Sequence, residues 1–268
     1  MNTVVTCFPG GKNKCLTMSY DDGVKQDRRL IEIFNRYSVK GTFNLNSALF
    51  GTAERYLLPQ EVFGVYQGHE VSCHTATHPA IDRCPLPGVA LEILEDRKNL
   101  EATFGYPVRG MSYPFGSHSA AIRAMLPSLG VLYARVVGDS FDFELPADFL
   151  QWKATCHHSH SLMEMAEKFN AFDHGVHPRL FYVWGHSYEF DNDGNWRLIE
   201  DFCAMMGGRE DTWFATNIEV YDCVQTFARL QFAADNSFVY NPSAASAWVR
   251  VNKNEPVEIK GGTLVRLA

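Results

Sequence analysis

The sequence predicts an α/β protein, a closed barrel of parallel strands alternating with helices, followed by a small β appendage. Apolar runs of four to seven residues alternate with amphipathic stretches of ten to fifteen from residue 14 to about 232, the pattern of repeated βα units. Asp21/Asp22, His74/His78, Pro114 and His186 all fall at the C-terminal ends of different predicted strands. Side chains from four strand ends converge more readily in a closed barrel, where such ends share one face, than in an open sheet. After about residue 232 the runs become short and alternating, separated by Asn-Pro, Lys-Asn-Glu-Pro and Gly-Gly, which are hairpin signals.

Taken in order, strands are predicted at 15–20, 41–46, 70–73, 109–113, 131–137, 180–185 and 212–216, and helices at 26–37, 59–66, 86–104, 119–129, 162–172, 196–206 and 218–230. Leu30, Ile33, Phe34 and Tyr37 follow i, i+3, i+4, i+7, one face of a helix. Pro59 suits a first helical position, and Thr216-Asn217-Ile218-Glu219 reads as a capping box. These units make a barrel domain of residues 1–232, with 233–268 as a β-rich appendage packed on it. An appendage of under ~40 residues is too small to be stable alone.

Composition narrows the function. The chain has 268 residues, 46% hydrophobic and 21% charged, as expected of an ordinary globular protein. A net charge of −7 argues against a nucleic-acid partner or an anionic membrane surface, since both call for basic patches. No segment approaches the ~18 consecutive apolar residues of a membrane span. The N-terminus has no basic start followed by an apolar core, so no signal peptide is read there. Seven cysteines, an odd number without framework spacing, read as free buried thiols of a reducing compartment. A cytoplasmic location is the resulting expectation.

Three short segments carry the chemistry. Ser19-Tyr20-Asp21-Asp22-Gly23, His74-Thr75-Ala76-Thr77-His78-Pro79 and Arg109-Gly110-Met111-Ser112-Tyr113-Pro114-Phe115-Gly116 each close an apolar run. Adjacent carboxylates offer one group to hold a cation and one to act as a base. Histidines at i, i+4 add two imidazoles from a single turn, and one carboxylate with two imidazoles leaves open positions for water and substrate. Asp-Asp-Gly alone could be turn chemistry, and a lone histidine is usually a satisfied core residue. Their occurrence together favours the ligand reading.

These motifs resemble those of the polysaccharide deacetylases, the NodB-type carbohydrate esterases. Ser19–Gly23 is similar to that family's Thr-Phe-Asp-Asp-Gly, and residues 68–79 (Gly-His-Glu-Val-Ser-Cys-His-Thr-Ala-Thr-His-Pro) are similar to its second motif. Pro114-Phe115-Gly116 resembles the end of the third motif, and Trp184-Gly185-His186 the late apolar strand followed by histidine. The resemblance implies a distorted TIM-like (β/α)7 barrel and one divalent metal held by Asp22, His74 and His78. Zinc is the default for that donor set, with Co, Mn, Fe or Ni as alternatives. It further implies Asp21 as general base and His186 as general acid, although a histidine filling the barrel mouth is the plainer reading of His186. The family commonly places an arginine directly before its Pro-Pro-aromatic-Gly to hold the base. Ser112 stands there, and Arg109, three residues earlier, is the nearest substitute, either reaching Asp21 from a different backbone position or forming only a surface ion pair. Backbone N–H groups of the turn after Ser112 could serve as oxyanion donors.

The implied activity is removal of an acetyl group from an N-acetylated sugar or oligosaccharide. Two alternatives keep the same segments: hydrolysis of a small non-sugar amide, and a catalytically impaired carbohydrate-binding relic that Ser112 keeps in play. Cys156-His157-His158-Ser159-His160 is a further cluster. Adjacent side chains on an extended segment point to opposite faces, so at most two of these histidines converge, on a metal, on substrate or in packing. Tyr188 and Glu189 are rim candidates. The sequence leaves the oligomeric state open.

Overall fold

A computed structural model describes residues 2–172, 177–252 and 254–267 of the chain. The first strand, β1 (Val4–Cys7), is followed by β2 (Lys14–Asp21), α1 (Asp27–Arg36), β3 (Thr42–Leu45), α2 (Pro59–Val65), β4 (Glu70–Cys73), α3 (Leu86–Phe104) and β5 (Gly110–Ser112). Next come α4 (Ala120–Met125), β6 (Tyr133–Asp139), β7 (Trp152–Ala154), β8 (Cys156–His157), α5 (Leu162–Ala171) and β9 (Arg179–Gly185). The chain continues through α6 (Glu189–Asn192), α7 (Trp196–Met206), β10 (Thr212–Phe214) and α8 (Asn217–Arg229). It ends with β11 (Gln231–Phe232), β12 (Phe238–Tyr240), β13 (Ala247–Val251), β14 (Pro256–Ile259) and β15 (Leu264–Arg266).

Parallel pairing runs β2-β3-β4-β5-β6-β7 and returns through β8-β9 to β2. β7 and β8 are one stave split at Thr155. Its N–H donates to the Tyr182 carbonyl (2.8 Å) and its Oγ1 accepts from the Tyr182 N–H (3.0 Å), so a side chain replaces one rung of the ladder. Counting the split stave once, seven staves close a distorted (β/α)7 barrel, the predicted class. One member differs from expectation. The strand predicted at 212–216 is not a stave: β10 pairs with the lower half of β2, while β3 pairs with its upper half. β9 occupies the other edge of β2 from Lys14 to Tyr20, so β10 and β3 share the remaining one. The stave at 152–157 went unread because it is short and broken by its own hydroxyl.

Both faces of the staves are buried, and side chains alternate between them. On β2, Leu16, Met18 and Tyr20 pack toward the helices with Leu30, Ile33 and Phe34 of α1. Thr17, Ser19 and Asp21 point inward, hydrogen-bonded to Asn217, Asn44 and Asn44 respectively. The same alternation puts Glu70 and Ser72 of β4, Ser112 of β5 and Tyr133 and Arg135 of β6 inside. Gly110 is inside too, and a Cβ there would meet the Tyr133 ring at 2.0 Å, which explains the glycine in mid-strand. A polar interior, much of it hydrogen-bonded, thus underlies the site. All seven cysteines are free thiols, so no disulfide constrains the barrel.

The helix-start expectations hold. Pro59 opens α2, and Thr216 and Glu219 cap α8 reciprocally (Glu219 Oε2 accepts the Thr216 N–H at 2.8 Å). Beyond α8, β1-β13-β14 and β11-β12-β15 form two antiparallel sheets around a small cluster of Val239, Val249, Val251, Ile259 and Leu267. Val4–Cys7, which the sequence reading grouped with the barrel, pairs with β13. Among the described residues, no helix is long and apolar enough to cross a membrane.

Candidate metal and catalytic centre

The three motif segments meet at the C-terminal mouth of the barrel. Asp21 keeps the inward register of β2. Asp22 then takes a φ of +84°, which turns its carboxylate away from that of Asp21. Of the nine non-glycine residues with positive φ among those described, four lie in these motif loops: Asp22, Thr75 (+65°), His78 (+61°) and Phe115 (+57°). Such conformations cost on the order of 1–3 kcal/mol each and persist where surrounding structure enforces them, a concentration expected at a functional site.

Asp22 Oδ1 lies 3.7 Å from His74 Nε2 and 3.5 Å from His78 Nε2, and the two Nε2 atoms are 3.1 Å apart. Two ligand atoms about 2.1 Å from a tetrahedral ion are about 3.4 Å apart, so the triangle has the dimensions of one face of such a site. The donors fit a cation on two further grounds. Asp22 Oδ1 is buried and has no hydrogen-bond partner. His74 Nδ1 is 2.9 Å from the Ser112 carbonyl oxygen, which can only accept, so the proton sits on Nδ1 and the Nε2 lone pair faces the triangle. A cation there would relieve the crowding of lone pairs.

Asp21 is held apart from this triangle. Its Oδ1 accepts from Asn44 Nδ2 (2.8 Å) and Ser112 Oγ (3.2 Å), and its Oδ2 from Arg135 Nη2. Burial opposes ionisation of Asp21. The charge of Arg135 foremost, with that of His186 and the Asn44 hydrogen bond, outweighs it, holding the carboxyl well below the usual carboxylate range.

Arg109, expected to hold Asp21, is not at the site. It makes a two-pronged ion pair with Asp222 of α8 (Nη1–Oδ1 3.0 Å, Nη2–Oδ2 2.7 Å). The reason is the strand rise: three residues at about 3.3 Å each set Arg109 about 10 Å below Ser112, at the other end of β5. The guanidinium comes instead from the next stave. Arg135 of β6 is the register partner of Ser112, 1% exposed, with its guanidinium 4.3 Å from the Trp184 ring centroid. A single arginine inside the otherwise apolar run Val131-Leu132-Tyr133-Ala134-Arg135-Val136-Val137 was the available signal. Arg109 and Asp222 are both substantially exposed, and exposed pairs contribute ~0–1 kcal/mol. Arg109→Ala is therefore expected to leave both stability and turnover close to wild type, read by urea denaturation and by steady-state rates.

His186 follows β9 with Nδ1 3.2 Å from Glu189 Oε1, which leaves Nε2 for the cavity. Burial disfavours its protonation. The Glu189 hydrogen bond and the charges of Asp21, Glu189 and Asp22 outweigh burial, so His186 titrates above its ordinary value. Over these groups lies a cavity of about 550 Å³, walled by Tyr56, Tyr113, Phe115, Trp184 and Tyr188, with Arg55 beside Asp22 (3.3 Å). In the turn after β5, the Tyr113 N–H donates to the Arg135 carbonyl and the Gly116 N–H to Tyr113, leaving Phe115 N–H. His157 and His158 converge on Glu189 (3.1 and 3.3 Å), whereas His160 turns away to Asp139 (2.5 Å).

The family model for polysaccharide deacetylase matches residues 9–134, the stretch that carries all three motifs. Solved structures share the fold at low identity. One is a Mycobacterium smegmatis protein assigned as a polysaccharide deacetylase, with TM-score 0.62 and 16% identity over 84% of this chain and 94% of that one. The chitin deacetylase of the fungal pathogen Colletotrichum lindemuthianum gives 0.53 and 19% over 79% and 88%. The peptidoglycan deacetylase of Bacillus subtilis gives 0.53 and 14% over 81% and 94%. Two further deacetylase structures are matched over only 55% and 44% of their own length.

Proposed function

From the premise that residues 9–134 match the polysaccharide deacetylase family, we propose that the chain is a metal-dependent hydrolase that removes acetyl groups from an N-acetylated sugar. The observation that carries this reading is the buried Arg135–Asp21 pair beside the Asp22–His74–His78 triangle. It supplies the base with the guanidinium that Ser112 lacks, which weighs against a relic site.

A divalent cation held by Asp22, His74 and His78 would supply Lewis-acid polarisation of the amide carbonyl and acidify water, and zinc suits the donors. Asp21, kept ionised by Arg135, accepts the proton of the attacking water. Phe115 N–H would donate to the carbonyl oxygen as negative charge develops there. His186 delivers a proton from Nε2 to the departing nitrogen as the C–N bond breaks, leaving acetate and a free amine. The aromatic walls suit the apolar faces of a sugar ring, and a cavity of about 550 Å³ is within the size range of small-molecule sites.

Activity that needs protonated His186 falls as pH rises through its titration, so the alkaline limb of kcat/KM is expected above the ordinary imidazole value of ~6.5. His186→Ala should abolish that limb and slow amides far more than an activated aryl acetate, whose leaving group departs unprotonated. Equal slowing of both substrates, with the limb intact, would remove His186 from the mechanism. The overall reading is tested by a mass-resolved screen of N-acetylated mono- and oligosaccharides for loss of acetyl. Turnover of small cyclic or formylated amides, with none of any acetylated sugar, would contradict the sugar assignment.

A further inference from the structure

We propose that the chain holds a second transition-metal site, separate from the catalytic triangle, in which His157 Nε2, His158 Nε2 and a Glu189 carboxylate oxygen bind one divalent cation of the zinc class. None of these residues lines the catalytic cavity. Glu189 Oε2 is 3.1 Å from His157 Nε2 and 3.3 Å from His158 Nε2, and the ligand atoms of the three residues all lie within 4.8 Å of one another. The two Glu189 separations are close to the ~3.4 Å edge of a tetrahedral zinc site. They also match the 3.1, 3.5 and 3.7 Å edges of the Asp22–His74–His78 triangle. Two imidazoles with one carboxylate form the same donor set, and such a set favours zinc-like ions over calcium or magnesium.

The second observation is His158 itself. The ring is completely buried, stacked between Tyr20 (centroids 5.7 Å apart) and Phe190 (4.2 Å), and neither ring nitrogen has a hydrogen-bond partner. A buried imidazole with both nitrogens unpaired carries a desolvation penalty that a ligand would offset. Nδ1 lies against Gly185, where even a Cβ would come within 2.0 Å, so Nε2 is the atom free to bind.

His157 completes the site through a change of tautomer. The Ser159 N–H points at His157 Nδ1 (3.2 Å), which places the proton on Nε2, while Ser159 Oγ lies 2.7 Å from the same Nδ1. The cation displaces the Nε2 proton, Nδ1 becomes the protonated nitrogen, and Ser159 Oγ accepts from it. The ring carries one proton before and after, so the change of tautomer releases no net proton. The occupant ties the end of β8 to the loop after β9 that carries His186, through a carboxylate whose other oxygen faces His186 Nδ1.

The test is metal stoichiometry by mass spectrometry on protein stripped with chelator, reloaded with zinc and desalted. Wild type is expected to retain one zinc more than Glu189→Gln, which is nearly isosteric, and one more than His157→Gln. Loss of an outer-sphere partner typically weakens a site 10–100-fold, so loss of a ligand should weaken it at least ~100-fold. Circular dichroism establishes which variants are folded, and an unchanged zinc count in either folded variant overturns the proposal. Asp22→Asn reports the catalytic site independently, so failure of that site would remove a different equivalent and leave the Glu189→Gln difference in place.

Discussion

Asp21→Asn is expected to lower kcat/KM for deacetylation by ~10²–10⁴-fold while leaving the metal content of the Asp22–His74–His78 site unchanged. The substitution keeps the shape of the side chain and its contacts with Asn44 and Ser112, but the amide cannot accept a proton from water. Asp21 Oδ2 lies 3.8 Å from His74 Nε2 and is occupied by Arg135, whereas Asp22 Oδ1 is the unpartnered oxygen facing both imidazoles. The two carboxylates therefore have separable roles. Loss of metal in Asp21→Asn, with retention in Asp22→Asn, would show the assignment to be reversed.

Arg135→Met is expected to cost ~3–5 kcal/mol of stability and to abolish detectable turnover. Both partners of the Arg135–Asp21 pair are almost wholly buried (1% and 3% exposed side chains), so removing the guanidinium strands a carboxylate without compensation. Adding Asp21→Asn to Arg135→Met removes the stranded charge and should recover most of that stability without recovering activity. Urea denaturation of the four species (wild type, two single variants and the double) measures the coupling. Additive losses would mean that Arg135 acts by packing on Trp184 and not through Asp21.

The sequence revealed the barrel where local signals repeat. β4, α3 and α7 lie at the predicted bounds, because their apolar periodicity and terminal Pro or Gly signals are local. The three motif segments that meet at the barrel mouth were legible for the same reason, each being a short motif at a strand end. Arg135 was not, since nothing local says which residue of the next stave will stand opposite Ser112; that depends on cross-strand register. Register also explains Arg109: on the sequence line it is close to Ser112, but along a strand it is at the far end. The stave at Trp152–His157 escaped because Thr155 substitutes its hydroxyl for a ladder bond. The pairing of Val4–Cys7 with Ala247–Val251 joins segments more than two hundred residues apart, beyond any periodicity. The convergence of His157 and His158 was anticipated only as an upper limit. Their meeting point, Glu189, comes from the loop after a different stave.

The central claim is that a cation at Asp22, His74 and His78 is required for hydrolysis directed by Asp21 and His186. Acetate release from an N-acetylated sugar oligomer, followed in wild type and His78→Ala before chelation, after chelation and after zinc readdition, tests it most directly. Wild type should lose activity with its metal and regain it on readdition, while His78→Ala stays inactive throughout. Undiminished acetate release by fully stripped wild type, or wild-type rates in His78→Ala, would contradict it.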